Sequence, residues 1–248
     1  ENMNARLSYT NTRISGIVPN SEIKKDNLSL NLNTSLSEKL KADAVFNYVH
    51  TAGFNRPEQG YGDNSVAQKF YQWGQRQLDF GDLKDYKLAN GMQRTWNRTA
   101  WDDATPLYSD NPYWTIYENT SDDNRHRFFG NVGLSYYFTK KLYLSGKVYG
   151  DTYSQTISSR VAIGSAALPE YNLQKRNNSE FNYEGRLHYN SNFGDFSLNS
   201  FAGFNIMDRK WDVLNGNTVG GLVIPGLYNL SNSFENPKSS NESYHLGV

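Results

Sequence analysis

Between residues 55 and 125 the chain gathers four of its five tryptophans, Trp73, Trp96, Trp101 and Trp114, with Tyr61, Tyr71, Tyr86, Tyr108, Tyr113 and Tyr117. Arg76, Arg94, Arg98, Asp102 and Asp103 are interleaved among them. Flat aromatic faces stack on sugar rings, while carboxylate, amide and guanidinium groups bond hydroxyls or peptide groups. The chemistry this combination supports is recognition without bond breaking. Its candidate contacts with a ligand or partner are Trp73, Arg76, Trp96, Trp101, Tyr113 and Trp114. The competing reading makes these rings the segment's own core, because a connection this long either folds on itself or is functional.

Bond-making chemistry finds little support. The chain has no cysteine, so it has no thiol nucleophile, disulfide or thiolate metal site. His50, His126, His188 and His245 are scattered, with no metalloprotease-type His pair. Ser121-Asp122-Asp123-Asn124 lacks the spaced ligands and glycine of a calcium loop and reads as a solvated acidic loop. Asp102 and Asp103 are adjacent rather than opposed across a scissile bond, and Gly81, Asp82 and Lys84 form no phosphate loop. The sequence therefore predicts no enzyme, no metal and no cofactor.

The elements that must position these residues announce themselves by a two-residue rhythm. Leu28, Leu30, Leu32, Thr34 and Leu36 share one face of a strand, and Ser29, Asn31, Asn33 and Ser35 share the other. The rhythm recurs at Phe128-Gly130-Val132-Leu134-Tyr136-Phe138, at Phe181-Tyr183-Gly185-Leu187-Tyr189 and at Phe196-Leu198-Ser200-Ala202-Phe204-Ile206. These same-face positions, with those of the runs Leu40-Ala42-Ala44-Phe46-Tyr48 and Leu142-Leu144-Gly146-Val148-Gly150, carry no charge, whereas intervening ones include Lys41, Asp43, Lys147, Glu184, Arg186 and His188. An uncharged face opposite a charged one suits a strand with lipid on one side and water on the other.

Strands are predicted at about 5–14, 27–36, 40–53, 126–138, 142–153, 179–190, 196–207 and from 241 onward. Tight turns follow the second, fourth and sixth strands at Ser37-Glu38-Lys39, Thr139-Lys140 and Gly194-Asp195. Long loops are predicted at about 55–125, 154–178 and 208–241. Up-and-down topology puts the tight turns on one rim and the long loops on the other, as in an outer-membrane barrel. Aromatic residues at both ends of the strands, with smaller residues between, match the two interfacial girdles of such a barrel.

Composition is compatible with this reading. Mean hydropathy is −0.74, and no run approaches the ~20 apolar residues a spanning helix requires. A barrel strand needs only alternate apolar positions, so a low mean does not exclude it. Basic and acidic residues balance at 25 each, and no basic tract argues for nucleic acid. Aromatic residues make up 15% of the chain, which argues against disorder. Both ends read as strand, so the chain is expected to be a segment of a longer polypeptide.

The run Asn111-Pro112-Tyr113-Trp114-Thr115-Ile116-Tyr117-Glu118-Asn119, followed by Arg125-His126-Arg127-Phe128-Phe129-Gly130-Asn131, resembles the barrel of SusC/RagA-type TonB-dependent transporters. Gly16-Ile17-Val18-Pro19-Asn20-Ser21, Asn55-Arg56-Pro57 and Gly226-Leu227-Tyr228-Asn229-Leu230-Ser231-Asn232-Ser233 resemble further segments of that family in the same order. The resemblance covers barrel only; no plug domain or TonB box is recognisable. It implies an all-β fold, an antiparallel transmembrane β-barrel of which this chain supplies about eight of ~22 strands around a plugged lumen. It further implies import of glycans or peptides across the outer membrane of a Gram-negative bacterium. The implied partners are outer-membrane lipid, a SusD-like surface lipoprotein and TonB, the last through a plug domain. Two alternatives remain open at this point: a passive porin-like channel, and a soluble all-β carbohydrate-binding or glycan-degrading protein.

Overall fold

The computed structural model describes residues 3–248 as one eight-stranded sheet in which every strand pairs with its sequence neighbours, all antiparallel. The strands are β1 (Met3–Ser15), β2 (Glu22–Ser35), β3 (Leu40–Phe54), β4 (Ser121–Tyr137), β5 (Leu142–Val161), β6 (Glu170–Phe193), β7 (Phe196–Leu222) and β8 (Ser233–Gly247). Two six-residue helices, α1 (Val66–Tyr71) and α2 (Pro112–Tyr117), lie within the β3–β4 connection. No described helix is long and apolar enough to cross a membrane, which says nothing of strands. All-β antiparallel architecture is thus as expected.

The pairing register carries the alternation across the whole sheet. One continuous row runs Leu7, Leu30, Phe46, Gly130, Gly150 and Phe181. A second runs Leu40, Tyr136, Leu144, Leu187 and Ala202. A one-residue slip would exchange the faces of a strand, so uncharged rows six and five strands wide require the same register throughout. The opposite face carries a ladder of ion pairs: Lys147 Nζ lies 2.8 Å from Asp43, Arg127 is bidentate on Asp151, and Arg186 pairs with Glu184.

Among the described residues no second layer covers the uncharged face. Leu134, Leu187 and Leu198 are between 45% and 49% exposed, and Phe204 is 62% exposed. Apart from Val213 within β7, the buried apolar side chains, Val66, Leu83, Trp114, Ile116, Val161 and Ala162, lie instead in connections or at strand tips. A soluble sheet would bury its apolar face in a core. An uncovered apolar sheet face of this extent marks a surface that meets something apolar.

Turn placement follows the expected sorting. The Leu36–Leu40, Phe138–Leu142 and Phe193–Phe196 closures are neighbours at one end of the sheet, with Tyr137 N–H bonded to Lys39 and Asn190 N–H to Lys141 across adjacent turns. The 55–120 connection, which carries Trp101, leaves from the other end.

The strands overrun the expected boundaries at that second end. Residues 154–178 and 208–241 are mostly hairpin arms, with irregular chain only at about 162–169 and 223–232. The arms are polar on both faces, so they lack the alternation that marks a half-apolar strand. They are held by the backbone ladder and by pairs such as Gln174 to Asn215 (2.5 Å) and Asn217 to Asn172 (2.6 Å). Register slips between Asn217 and Leu222 coincide with Gly220 and Gly221 at φ +73° and +105°, where a side chain would be strained. The Ser121-Asp122-Asp123-Asn124 run is likewise no free loop: it opens β4, and Asp123 accepts from Arg56 (2.8 Å) and Gln155 (2.6 Å).

Gly130 is where backbone approach is closest. A Cβ there would meet the Val45 carbonyl oxygen at 1.9 Å, whereas one at Gly146 would meet nothing nearer than 3.9 Å. Gly130→Ala is expected to destabilise by about 1–3 kcal/mol or more, because only backbone can give way. Gly146→Ala should stay within about 0.5 kcal/mol. Urea unfolding of the full-length protein in lipid vesicles separates the two, and equal midpoints would contradict the close approach.

Candidate functional site

The 55–120 connection folds into a cap over one end of the sheet, and the folding starts from two capped helices. Ser65 accepts from the Gln68 N–H at the start of α1. Asn111 accepts from the Tyr113 N–H at the start of α2, and Pro112 fills the first helical position, where no backbone donor is needed. Asn111 is fully buried: its Nδ2 donates to the carbonyls of Leu83 (2.9 Å) and Arg94 (2.7 Å), and its N–H donates to Gln93 Oε1 (2.8 Å).

Gln93 passes the network onward. Its Nε2 donates to Asp110 Oδ1 (2.6 Å) and to the Gly164 carbonyl (2.8 Å), and Asp110 also accepts from the Ala166 N–H (2.6 Å). Lys69 Nζ lies 4.0 Å from Asp110, and both side chains are almost wholly buried. Burial pushes the Lys69 ammonium below its ordinary pKa, although Asp110 and then Asp63 oppose the shift. Burial raises the Asp110 carboxyl, opposed by Lys69 and by the Gln93 and Ala166 donors. The pair is held by geometry rather than by any ease of burying charge.

The cap is tied to every neighbouring connection at that end. Asn20 and Asn55, both left-handed at φ 61° and 50°, donate to the same Ile116 carbonyl at 2.9 and 2.7 Å, satisfying an acceptor within α2. Trp114 Nε1 donates to Ser165 Oγ (2.9 Å), and Ser165 Oγ donates to Asn119 (3.1 Å). Arg160 Nε donates to the Glu118 carbonyl (3.0 Å), and its guanidinium lies 4.3 Å from the Tyr228 ring centre. The sequence segments that carried the family resemblance therefore meet in space: Asn20, Asn55, residues 111–119 and Tyr228.

This arrangement sorts the predicted aromatic group. Trp114 is buried, with Tyr86 edge-on at 6.3 Å, so it packs the cap and offers no open face. Tyr113 is half-buried against Phe70, edge-on at 6.2 Å, and Trp96 is half-buried. Trp73, just past α1, is exposed, and so is Arg76. Trp101 is 89% exposed at the tip of a small hairpin closed by Thr99 N–H to Thr105 (2.9 Å) and Leu107 N–H to Asn97 (2.8 Å). The six candidates are thus dispersed over the cap rather than gathered into one pocket. Sequence reasoning missed the buried polar network of Lys69, Gln93, Asp110 and Asn111. Asn-Pro before an aromatic run was the available sign, since it is a helix-start signature.

Under the cap lies a crevice of about 740 Å³ lined by Asn55, Arg56, Glu58, Asn64, Thr115 and Glu170, among others. Thr115 is almost fully buried, and its Oγ1 has no partner among the described residues. Charges of both signs and amides suit a ligand rich in amide groups. Among the described residues no group of His, Asp or Glu side chains is placed to hold a metal ion.

No family model and no curated protein matches the chain by sequence. Its fold does match solved structures. It superposes on the RagAB peptide importer in the open-open state with a TM-score of 0.64, and in the closed-closed state with a TM-score of 0.61. A structure of the RagAB peptide transporter gives a TM-score of 0.62. In each case identity is 16%, and the match covers 98% of this chain but 27% of the other. The chain therefore spans about a quarter of the length of these transporter chains, and the resemblance read from its residues holds at the level of fold: it has the structure of a segment of a RagA-type barrel.

Proposed function

We propose that this chain forms part of the wall and the outer cap of an active, TonB-dependent outer-membrane importer that works with a SusD-like lipoprotein. In this reading the uncharged face meets lipid, the ion-pair ladder faces the lumen, and the cap stands on the extracellular rim. The observation that carries it is the single uncovered sheet whose long connections all pack together at one end, above a polar crevice. Among glycans and peptides, peptides are the favoured cargo, because Arg56, Glu58 and Glu170 supply both charges and Asn55 and Asn64 supply amides at the crevice. The exposed indole of Trp101 is assigned to the lipoprotein, since a rigid aromatic on a protruding hairpin makes a strong interface anchor.

The test uses the full-length transporter with its lipoprotein in whole cells. Trp101→Ala is expected to weaken lipoprotein association by about 1–3 kcal/mol while leaving barrel assembly intact. Glu58→Gln with Arg56→Gln should change which labelled peptides are taken up and leave association alone. Uptake of oligosaccharides but not peptides would redirect the substrate assignment. Undiminished uptake without an energised inner membrane would favour a passive channel, and cleavage of peptide or glycan by the pure protein would defeat the transporter reading.

A further inference from the structure

The uncovered apolar face is not smooth. Gly130 and Gly150 are directly paired and lie in a groove of about 450 Å³ walled by Leu28, Leu30, Phe46, Val132, Val148 and Phe181. Toward the cap the groove reaches Phe128 and Thr152. These same two residues begin a second crevice of about 700 Å³, whose further lining on that face includes His126, Ser154, Asn177, Ser179, Lys210 and His245. Along the strands, therefore, a mainly apolar hollow, whose Gly150–Phe181 row ends on Asp208, passes without a break into one rich in donors. Lys210 stands in the row next to Gly150, beside Ser179 and His245, and makes no ion pair among the described residues. Asp212 also lines the upper crevice, one row further from the groove, and Asp208 is engaged by His245 at 2.9 Å.

We infer that this two-part crevice binds one membrane lipid with a phosphate-bearing headgroup, an acyl chain lying over Gly130 and Gly150 and the phosphate beside Lys210 and His126. An amphiphile fits both halves at once, and neither a soluble anion nor a second apolar surface does. The exposed ammonium of Lys210, unpaired among the described residues and with imidazole, hydroxyl and amide donors beside it, complements a phosphate. Its position at the junction of apolar and polar rows is where such a headgroup sits when the apolar rows meet hydrocarbon. The inference rests on the outward orientation of the apolar face and not on the identity of the cargo.

The full-length protein is placed in nanodiscs of phosphatidylcholine with a minority of phosphatidylglycerol, and lipid retained after transfer to mild detergent is counted by native mass spectrometry. The wild type is expected to keep one phosphatidylglycerol in preference to phosphatidylcholine. Lys210→Gln should lower that preference about tenfold, the effect of removing one charge-assisted bond. Thr152→Trp, which fills the junction of the two halves, should abolish retention, while Leu187→Trp on the same face should not. Heat-modifiable migration on gels confirms that each variant has folded. Equal retention of the two lipids by the wild type would overturn the inference, as would undiminished retention by Thr152→Trp or equal losses in Leu187→Trp.

Discussion

Leu187→Arg should destabilise the full-length protein in lipid vesicles by about 2–4 kcal/mol, and Leu134→Arg and Leu30→Arg should behave alike, whereas Arg at Asn31 or Asn199 should be mild. Leu187 and Leu134 stand in the middle of uncharged rows and are half exposed, with no protein layer over them. Arginine there must carry a guanidinium into hydrocarbon or bend its stem a long way to reach the interface. Asn31 and Asn199 lie on the opposite face, where Lys147, Asp43, Arg127 and Asp151 already form an aqueous ladder. Unfolding midpoints and m-values in urea give the comparison. Similar losses on both faces would mean that the apolar rows do not meet lipid, and the outward orientation of the sheet would have to be abandoned.

The contrast between these faces is also what made the strands legible in the sequence. Wherever one side of a strand meets an apolar medium and the other meets water, alternation is obligatory, and residues 27–36, 126–138 and 196–207 display it. In the proposed orientation the strands continue beyond that zone with water on both sides. There β5, β6 and β7 extend well past the last alternating residue, held by backbone pairing and Asn or Gln cross-links that impose no polarity pattern. Their true length was therefore invisible to periodicity. The cap was legible only as an aromatic-rich connection. Its fold depends on which of many Asn and Gln residues become buried, and composition does not distinguish Asn111, which is enclosed, from Asn90, which is exposed. Trp114 and Trp101 are equally aromatic in sequence, yet one is cap core and the other projects into solvent. The difference arises from α2, which points Trp114 toward Ser165, and from the Asn97–Leu107 hairpin, which carries Trp101 outward.

The same network makes the cap's stability separable from that of the sheet, and Lys69 is where the two can be parted. Lys69→Met leaves Asp110 buried without its cation and should destabilise the cap by about 3–5 kcal/mol. Burial already disfavours the charged form of both partners, so a neutral pair should restore most of the loss. In Lys69→Met/Asp110→Asn the new amide oxygen can still accept from Gln93 and from the Ala166 N–H, which are the bonds that tie the cap to the 162–169 connection. Limited proteolysis of intact cells reads the cap directly, and heat-modifiable migration reads the barrel. The single variant should be cut within residues 55–120 while its barrel still assembles, and the double variant should resist cutting. Uptake should fall with cap integrity, because Thr115 and the Asn55–Ile116 bond that shape the crevice belong to the unit being loosened. A Lys69→Met protein that resists protease as well as the wild type would show that the buried pair does not hold the cap. Normal uptake from a protein whose cap is cleaved would show that the crevice beneath it is not on the path of the cargo.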